Sequence, residues 1–464
     1  MKKLMLITPM LHQGGFERVC VTTARLMQKY YDVTVLIFSD KDIHYDVTGL
    51  NIVNIDLPAK KEKYAKAINL VKRVMKVKKI KKELGIDISY SFGSSANYVN
   101  ALSKGREKVF TGLRCSTDME SPKQVRLFCN KADQVLSCSR EIMRQLSAEY
   151  DYDRSSYIYN PLDVETINKQ AAEKIDDLPF GIEQKKDEPD SGKNSKNDSR
   201  NESKKDSNKK NEAEEKKQEE VQEETVSFTF GAGVNGYIQS RIYNKAEKKE
   251  EDNRLKLVVS VGRQDYIKGF WHLIKAFSIV AKEKDNVRLM ILGTGDWTPY
   301  YKLVEDLGIK DKVAFMGIKK NPFPYVASSD LYVLSSNHEG FPNALLEAMA
   351  LGKPCIAADC KTGPREILLT ENEYNSLLKI RPDGSSTDKA IEGEYGILVP
   401  DMSEVEDFDA NVITVGEKAL AREMNKMLSD DDKLEKFGLK ARERADCYQP
   451  EKYSAELYSV LEKI

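Results

Sequence analysis

Two glutamates, Glu339 and Glu347, stand eight positions apart in the stretch Ser335-Ser-Asn-His-Glu-Gly-Phe-Pro-Asn-Ala-Leu-Leu-Glu-Ala-Met-Ala-Leu-Gly-Lys-Pro354. An apolar, strand-like run precedes this stretch, Gly340 and Pro342 turn the chain, and a helix-like run follows. The first turn of a helix presents unpaired backbone N–H groups and the positive end of the helix dipole, a setting suited to a diphosphate. Carboxylates on either side of such a group could hold sugar and ribose hydroxyls. The plainer reading is a helix whose glutamates favour its N-terminal end electrostatically. Two glutamates alone do not choose between these readings.

A second loop carries cations. In Val261-Gly262-Arg263-Gln-Asp-Tyr-Ile-Lys268-Gly269 a strand-like run passes into a helix-like one, which aims Arg263 and Lys268 at the edge of a sheet. There a guanidinium and an ammonium can offset the charge that grows on a departing diphosphate; otherwise they are two solvated surface cations. Gly14-Gly15-Phe16-Glu17-Arg18 follows the apolar run Leu4–Ile7, and glycines at that place let a backbone approach a phosphate or an acceptor closely. Glu17 and Arg18 fit a helix start on the surface equally well, so their roles stay open. Gly293 opens another loop, Gly293-Thr-Gly-Asp296, and Thr362-Gly-Pro-Arg-Glu-Ile367 reads equally as a turn with a helix start or as a ligand contact.

The elements that must position these loops come in two series. In residues 1–165, strand-like runs at Leu4–Ile7, Val33–Phe38, Ile86–Ile88, Lys108–Phe110 and Gln134–Leu136 alternate with helical stretches, the first from Glu17 to Lys29. The second series has strands at Leu255–Val261, Val287–Leu292, Val313–Met316, Leu331–Leu334 and Pro354–Ala357, with helices at Gly269–Ala281 and Asn343–Leu351. Residues 370–392 read as a polar surface insertion, and helices at about 412–428, 432–445 and 451–463 close the chain. Continuous rather than alternating apolar strands, separated by helices, imply parallel sheets covered on both faces. The expected fold is α/β, with two doubly wound sheets facing across a cleft that takes ligands at the strands' carboxyl ends. Residues 166–253 are expected to be a charged, largely disordered insertion, because Lys185–Glu224 is nearly all Lys, Asp, Glu, Asn, Ser and Gln. Within it, Val226–Ile238 alternates like a hairpin around Gly231 and Gly233.

The string Glu339-Gly-Phe…Glu347-Ala-Met-Ala-x-Gly-x-Pro closely resembles the signature of glycosyltransferase family 4, retaining enzymes of the GT-B fold. Val261–Gly269 resembles that family's first loop in the C-terminal domain, and Gly14–Arg18 its Gly-Gly-x-Glu-Arg loop. Thr362–Ile367 resembles its Gly-Pro-x-Glu-Ile loop. Asn160-Pro-Leu-Asp163 is similar to the Asn-Pro-x-Asp segment that ends the N-terminal domain in relatives building surface polysaccharides, and is read here as an inter-domain joint.

The resemblance implies a Rossmann-like acceptor-side domain at 1–165, a Rossmann-like nucleotide-sugar domain at 254–447, and a terminal helix at 448–464 crossing back onto the first domain. It implies donor contacts from Gly14, Gly15, Gly262, Gly293, Gly340, Phe341, Asn343, Ala344, Leu345 and Glu347, the last to the ribose. Glu339 would position the transferred sugar while Arg263 and Lys268 stabilise the leaving diphosphate. Acceptor-side candidates are Ser94 in Ser91-Phe-Gly-Ser94 and Arg114 in Arg114-Cys-Ser116, though no family histidine aligns with either segment. The implied reaction moves a hexose or N-acetylhexosamine, with retention, from a nucleotide diphosphate sugar (a UDP-sugar foremost) to a glycan or polyprenyl-linked acceptor in surface-polysaccharide or capsule assembly. The nucleotide sugar is then a substrate, and neither cofactor nor metal is expected. Rival readings are a sugar-nucleotide epimerase or phosphorylase on the same architecture, or a non-catalytic partner of another transferase.

Bulk properties narrow the remaining classes. Charged residues reach 32%, but the net charge is −1, so no general attraction to nucleic acid follows. Seven cysteines without a Cys-x-x-Cys pair, and four histidines without ligand spacing, favour reduced thiols in a cytoplasmic protein over a zinc site. The opening MKKLMLITPM is too short an apolar run for a signal peptide, and no stretch approaches the ~20 apolar residues of a membrane span. Between Lys60 and Lys82, Leu70, Val74, Val77 and Leu84 share a helical face opposite Lys72, Lys76 and Lys79. Such a helix either packs its apolar side and solvates its lysines, or rests a basic face on anionic lipid at about 1 kcal/mol per Lys. Peripheral contact of this kind is the one membrane association expected.

Overall fold

The computed structural model describes residues 1–12, 14–182, 184 and 254–463. The continuous apolar runs become parallel strands because helices cover both faces of each sheet. In the N-terminal half, β1 (Lys3–Thr8), β2 (Asp32–Ile37), β3 (Asn51–Asn54), β4 (Ile88–Phe92), β5 (Lys108–Leu113), β6 (Gln134–Ser137) and β7 (Ser155–Tyr157) lie in the order β3-β2-β1-β4-β5-β6-β7. In the C-terminal half, β8 (Lys256–Val261), β9 (Val287–Leu292), β10 (Val313–Phe315), β11 (Leu331–Leu334), β12 (Cys355–Ala358), β13 (Ile391–Gly393) and β14 (Gly396–Val399) lie in the order β10-β9-β8-β11-β12-β14-β13. Only β13 runs antiparallel, as the partner of β14. Both sheets reverse their strand order beside their first strand, between β1 and β4 and between β8 and β11. At such a switch point, loops leaving neighbouring strands diverge and open a crevice for ligands. The chain is therefore two Rossmann-like α/β domains, and together they form one compact unit.

Several boundaries differ from the sequence reading, each for a physical reason. The strand expected at Ile86–Ile88 runs instead from Ile88 to Phe92, through two buried serines. Ser89 and Ser91 can be buried because their hydroxyls donate to Asn100 and Asn97 of the following helix Ser94–Leu102, at 2.8 and 2.7 Å. The short strands β3 and β7 are too polar to show as apolar runs. Helix Val164–Ala171 runs into the span assigned to the charged insertion, and buries Ile167. Asn321 ties the chain just beyond it, donating to the carbonyl of Gln170 at 2.8 Å and to Glu173 at 2.9 Å. Residues 185–253, including the expected hairpin around Gly231 and Gly233, lie outside the described residues.

The stretch at 370–392 is not simply a polar excursion. It forms the helix Glu371–Ile380, capped reciprocally by Thr370 and Glu373, with Tyr374 and Leu377 buried. Arg140 of the N-terminal half reaches Glu371 at 2.6 Å and Asn375 at 3.2 Å, and Arg144 donates to the Pro382 carbonyl at 2.8 Å. The terminal helix, Pro450–Glu462, lies on the N-terminal half. Tyr453 meets Thr23 at 2.7 Å, Tyr458 stacks on Tyr30, and Glu462 bonds Lys2 and Tyr31.

A buried tie between the halves is a helix cap made in trans. Helix Arg140–Tyr150 begins at Ser139. Its first turn needs acceptors, because the initial N–H groups of any helix lack intrahelical partners. Glu366 of the other half supplies them, accepting from Ser139 Oγ at 2.6 Å, the Arg140 N–H at 2.7 Å and the Glu141 N–H at 3.3 Å. Burial raises the Glu366 pKa, opposed by these hydrogen bonds. Glu366→Ala is expected to cost about 2 kcal/mol, read as a lower urea midpoint together with faster proteolysis at the junction of the halves. An unchanged midpoint would show that the cap does not hold them.

Candidate active site

The two switch-point crevices face one another, and the loops singled out in the sequence meet between them. The glycine-loop helix, Gly15–Met27, starts directly after the β1 loop. The signature helix, Asn343–Ala350, starts after the loop that leaves β11. Their first turns come together, since Asn343 Nδ2 donates to the Gly15 carbonyl at 3.2 Å. Two positive helix ends thus converge on one cleft. Asn160 locks this meeting from the inter-domain joint. Its Nδ2 donates to Asn343 Oδ1 at 2.8 Å and to the Phe341 carbonyl at 3.1 Å, while the Leu162 N–H donates to the Tyr448 carbonyl at 2.8 Å.

Cations and carboxylates alternate through this cleft. Lys268 Nζ donates to Glu339 Oε1 at 2.6 Å. Glu347 is buried, which raises its pKa, and the Arg18 guanidinium bonded to it opposes that rise. The Glu339 backbone is fixed as well: its carbonyl accepts from the Ser116 N–H at 3.0 Å and from the Thr362 hydroxyl. Ser116 Oγ also lies 3.2 Å from His338 Nδ1. The loops after β8 and β11 are zipped together, with the Asn337 N–H donating to the Ile267 carbonyl at 2.8 Å and its side chain to the Tyr266 carbonyl at 3.0 Å. Arg263 is the most open of the cations, 64% exposed at its side chain, with Asp265 as its ion-pair partner at 3.6 Å.

At Gly340 the two halves approach closely. A Cβ there would strike the carbonyl of Arg114, so no larger residue fits without parting the domains. Phe341 stacks on Tyr159 with ring centroids 4.5 Å apart, which makes it part of the joint. Leu345 is fully buried in the core, and Ala344 packs against the same core. Gly262 and Gly293 lie side by side at the C-terminal ends of β8 and β9, with the Gly262 N–H donating to the Leu292 carbonyl at 2.9 Å. Of the acceptor-side candidates, Ser94 donates to Asp118. Arg114 is committed within the protein, donating to Asn160 Oδ1 at 3.0 Å and to the Tyr90 hydroxyl at 2.6 Å, with Phe92 beneath its guanidinium. A cavity of about 440 Å³ opens beside this region, lined by Ser116, Glu120 and Gln145 from one half and Asp359, Lys361 and Asp401 from the other. Burial pushes the Asp401 carboxyl up to about 7.

Arg18 is the residue whose part the sequence does not disclose. It stands within the glycine-loop string, but its partner Glu347 lies 329 positions away, beyond any local pattern. Ser116 is also unforeseen as a contact of His338 and of the Glu339 backbone. Among the described residues no group of three or more His, Cys, Asp or Glu is placed to hold a metal ion.

Residues 242–390 match the family model of glycosyl transferases group 1. An uncharacterized glycosyltransferase of Methanocaldococcus jannaschii is 33% identical over 229 residues, 48% of this chain and 54% of that protein, so the match spans about half the length of each. The Campylobacter jejuni N-acetylgalactosamine-N,N'-diacetylbacillosaminyl-diphospho-undecaprenol 4-alpha-N-acetylgalactosaminyltransferase is 23% identical over 402 residues, 83% of this chain and 88% of that protein. Among solved structures, Anabaena HepE in complex with UDP and glucose superposes with a TM-score of 0.62 at 15% identity, covering 100% of both chains. Sucrose-phosphate synthase from Thermosynechococcus elongatus gives a TM-score of 0.64 at 15% identity, covering 99% of this chain and 98% of that one. The fold is the GT-B arrangement that these glycosyltransferases share.

The Arg18–Glu347 pair sets an expectation for the stability of the joint. Breaking a fully buried ion pair costs about 3–5 kcal/mol. Here the Arg18 side chain is 41% exposed, so solvent screens part of the attraction. A double-mutant cycle of Arg18→Ala and Glu347→Gln is expected to give about 1–2 kcal/mol of coupling in urea unfolding. Additive effects would mean that the pair holds nothing together.

Proposed function

We propose that this chain is a retaining glycosyltransferase that moves a hexose or N-acetylhexosamine from a UDP-sugar to a glycan or polyprenyl-linked acceptor in cell-surface polysaccharide assembly. The observation that carries this reading is the convergence of two helix N-termini with Lys268, Arg18 and Arg263 around Glu339 and Glu347, between two Rossmann-like domains. The donor's diphosphate would lie on the two helix starts, displacing Lys268 from Glu339. The freed Glu339 carboxylate would accept from hydroxyls of the sugar, and Glu347 from the ribose. Lys268 and Arg263 would then face the leaving diphosphate as its charge grows, the largest electrostatic demand of the step. The acceptor would enter from the N-terminal half, past Ser116 and the neighbouring cavity.

With a panel of UDP- and GDP-sugars and a polyprenyl-diphosphate-linked sugar as acceptor, donor-dependent product is expected, with the anomeric configuration retained. Lys268→Ala and Arg263→Ala should each lower kcat by about a hundredfold or more. Full activity in Arg263→Ala, or no turnover with any donor, would overturn the reading. Binding without turnover would favour the non-catalytic partner.

A lipid-linked acceptor requires the enzyme to work at a membrane surface. No helix among the described residues is long and apolar enough to cross one. The basic helix, Lys63–Leu84, supports surface contact instead. It faces the domain with Asn69, Arg73, Val77 and Lys81, whose ammonium pairs with Glu107 at 2.8 Å. Outward it turns an apolar stripe that the sequence reading overlooked: Tyr64, Ile68, Val71 and Met75 are 87%, 54%, 58% and 67% exposed. At 100° per residue these four share one face, flanked by the exposed Lys72, Lys78 and Lys79. Arg73, on the opposite face, donates to Ser95 at 3.3 Å and holds the helix against the helix Ser94–Leu102 that follows β4. The protein should therefore sediment with vesicles containing phosphatidylglycerol and not with phosphatidylcholine alone. Ile68→Glu with Met75→Glu should abolish sedimentation, and equal binding by this variant would remove the stripe from the account.

A further inference from the structure

Glu17 is a buried titratable group in the cleft to which the proposed transfer assigns no task. It is the third residue of the glycine-loop helix and 8% exposed, and its Oε2 has no hydrogen-bond partner among the described residues. The carboxyl folds back over Gly14, where a Cβ would collide with it. It therefore sits at the mouth of the helix, beside first-turn N–H groups for which the N-cap, Gly14, supplies no side chain. That is the place an anion would take at a helix start.

The charged and titratable groups around it come from every neighbouring element. Arg263 faces it from the loop after β8. Tyr45, from the connection after β2, donates to the Gly14 carbonyl at 2.6 Å. Arg18 and Cys20 belong to the same helix, and Glu347 stands beyond Arg18 on the signature helix. Burial outweighs the Glu17 backbone N–H and Arg263, both of which favour the charged form, and pushes the carboxyl up to about 7. Arg18 is already bound to Glu347. An ionised Glu17 would set a third carboxylate against any diphosphate entering here, whereas the neutral acid has an O–H to offer.

We propose that Glu17 receives the donor as a carboxylic acid, donating its O–H to a diphosphate oxygen, so that donor binding takes up a proton. This rests on the donor reading above. In the free protein Glu17 loses its proton as pH rises through about 7. In the complex it keeps the proton, so donor affinity is level below that pH and falls about tenfold per pH unit above it. Glu17 acts here as a positioning residue for the diphosphate, and a purely structural carboxyl would give no such slope.

The test is donor affinity from about pH 6 to about pH 8.5, using UDP-glucose, UDP-N-acetylglucosamine and GDP-mannose. Their sugar-linked diphosphates carry no phosphate that titrates in this range, so any slope belongs to the protein. The wild type should weaken above neutral pH. Glu17→Gln, which keeps a donor that cannot ionise, should bind at all pH values about as tightly as the wild type does at low pH. Calorimetry of the wild type at about pH 8, in two buffers of different ionisation heat, should report close to one proton taken up per donor, with no variant required. Measurable binding with the same slope in wild type and Glu17→Gln, or with no proton uptake, would overturn this inference and leave the donor reading standing. No binding of any of the three donors at any pH would overturn both.

Discussion

A carboxylate removed from water must find a cation or enough hydrogen bonds, because leaving it unpaired costs several kcal/mol. Glu347 is such a carboxylate, and the arrangement of the two halves follows from how it is satisfied. Its own helix offers it no cation. Arg18 does, and Arg18 stands on the first helix of the other half. Bringing the pair together puts the glycine-loop helix against the signature helix, start to start. Glu339 is treated alike within the C-terminal half, where the β8 loop lends it Lys268. The cations on the two sides of the cleft are therefore already engaged, Lys268 with Glu339 and Arg18 with Glu347.

Several further contacts tie the two halves together. Glu366 caps a helix of the opposite half, Asn160 bridges to Phe341 and Asn343, and helix Glu371–Ile380 takes hold of Arg140. The terminal helix returns to the N-terminal half through Tyr453 and Tyr458. Gly340 sets the closeness of the approach, since its missing side chain leaves room for the Arg114 carbonyl. Polar contacts of this kind are specific but separately modest, about 1 kcal/mol each. A closed joint built from several of them can open without unfolding either sheet.

The N-terminal half divides its polar residues unusually. Its basic helix buries Arg73 and Lys81 against the domain, with burial lowering the Lys81 pKa to about 8 despite Glu107. Four of its apolar side chains, Tyr64, Ile68, Val71 and Met75, are left to solvent, while Val77 is buried and Leu70, Ile80 and Leu84 pack against the domain. An amphipathic surface helix ordinarily carries polar residues at such outward positions.

The sequence by itself determined the two series of parallel strands and the strand-to-helix loops that meet between the halves. Continuous apolar runs, glycines after strands and helix starts are local signals, and Leu4–Ile7, Val287–Leu292 and Leu331–Leu334 appear in the structure as read. Signals failed where strands were polar, as at Asn51–Asn54, or drew on a neighbouring helix for their hydrogen bonds, as at Ser89 and Ser91. The tertiary structure alone decided how each charged group is spent. It gave Arg18 to a glutamate 329 positions away, made Glu366 a cap across the joint, committed Arg114 to Tyr90 and Asn160, and enclosed Glu17 without a partner for one oxygen. Periodicity is a property of adjacent residues, whereas the burial and pairing of a charge depend on whatever the folded chain brings beside it from elsewhere.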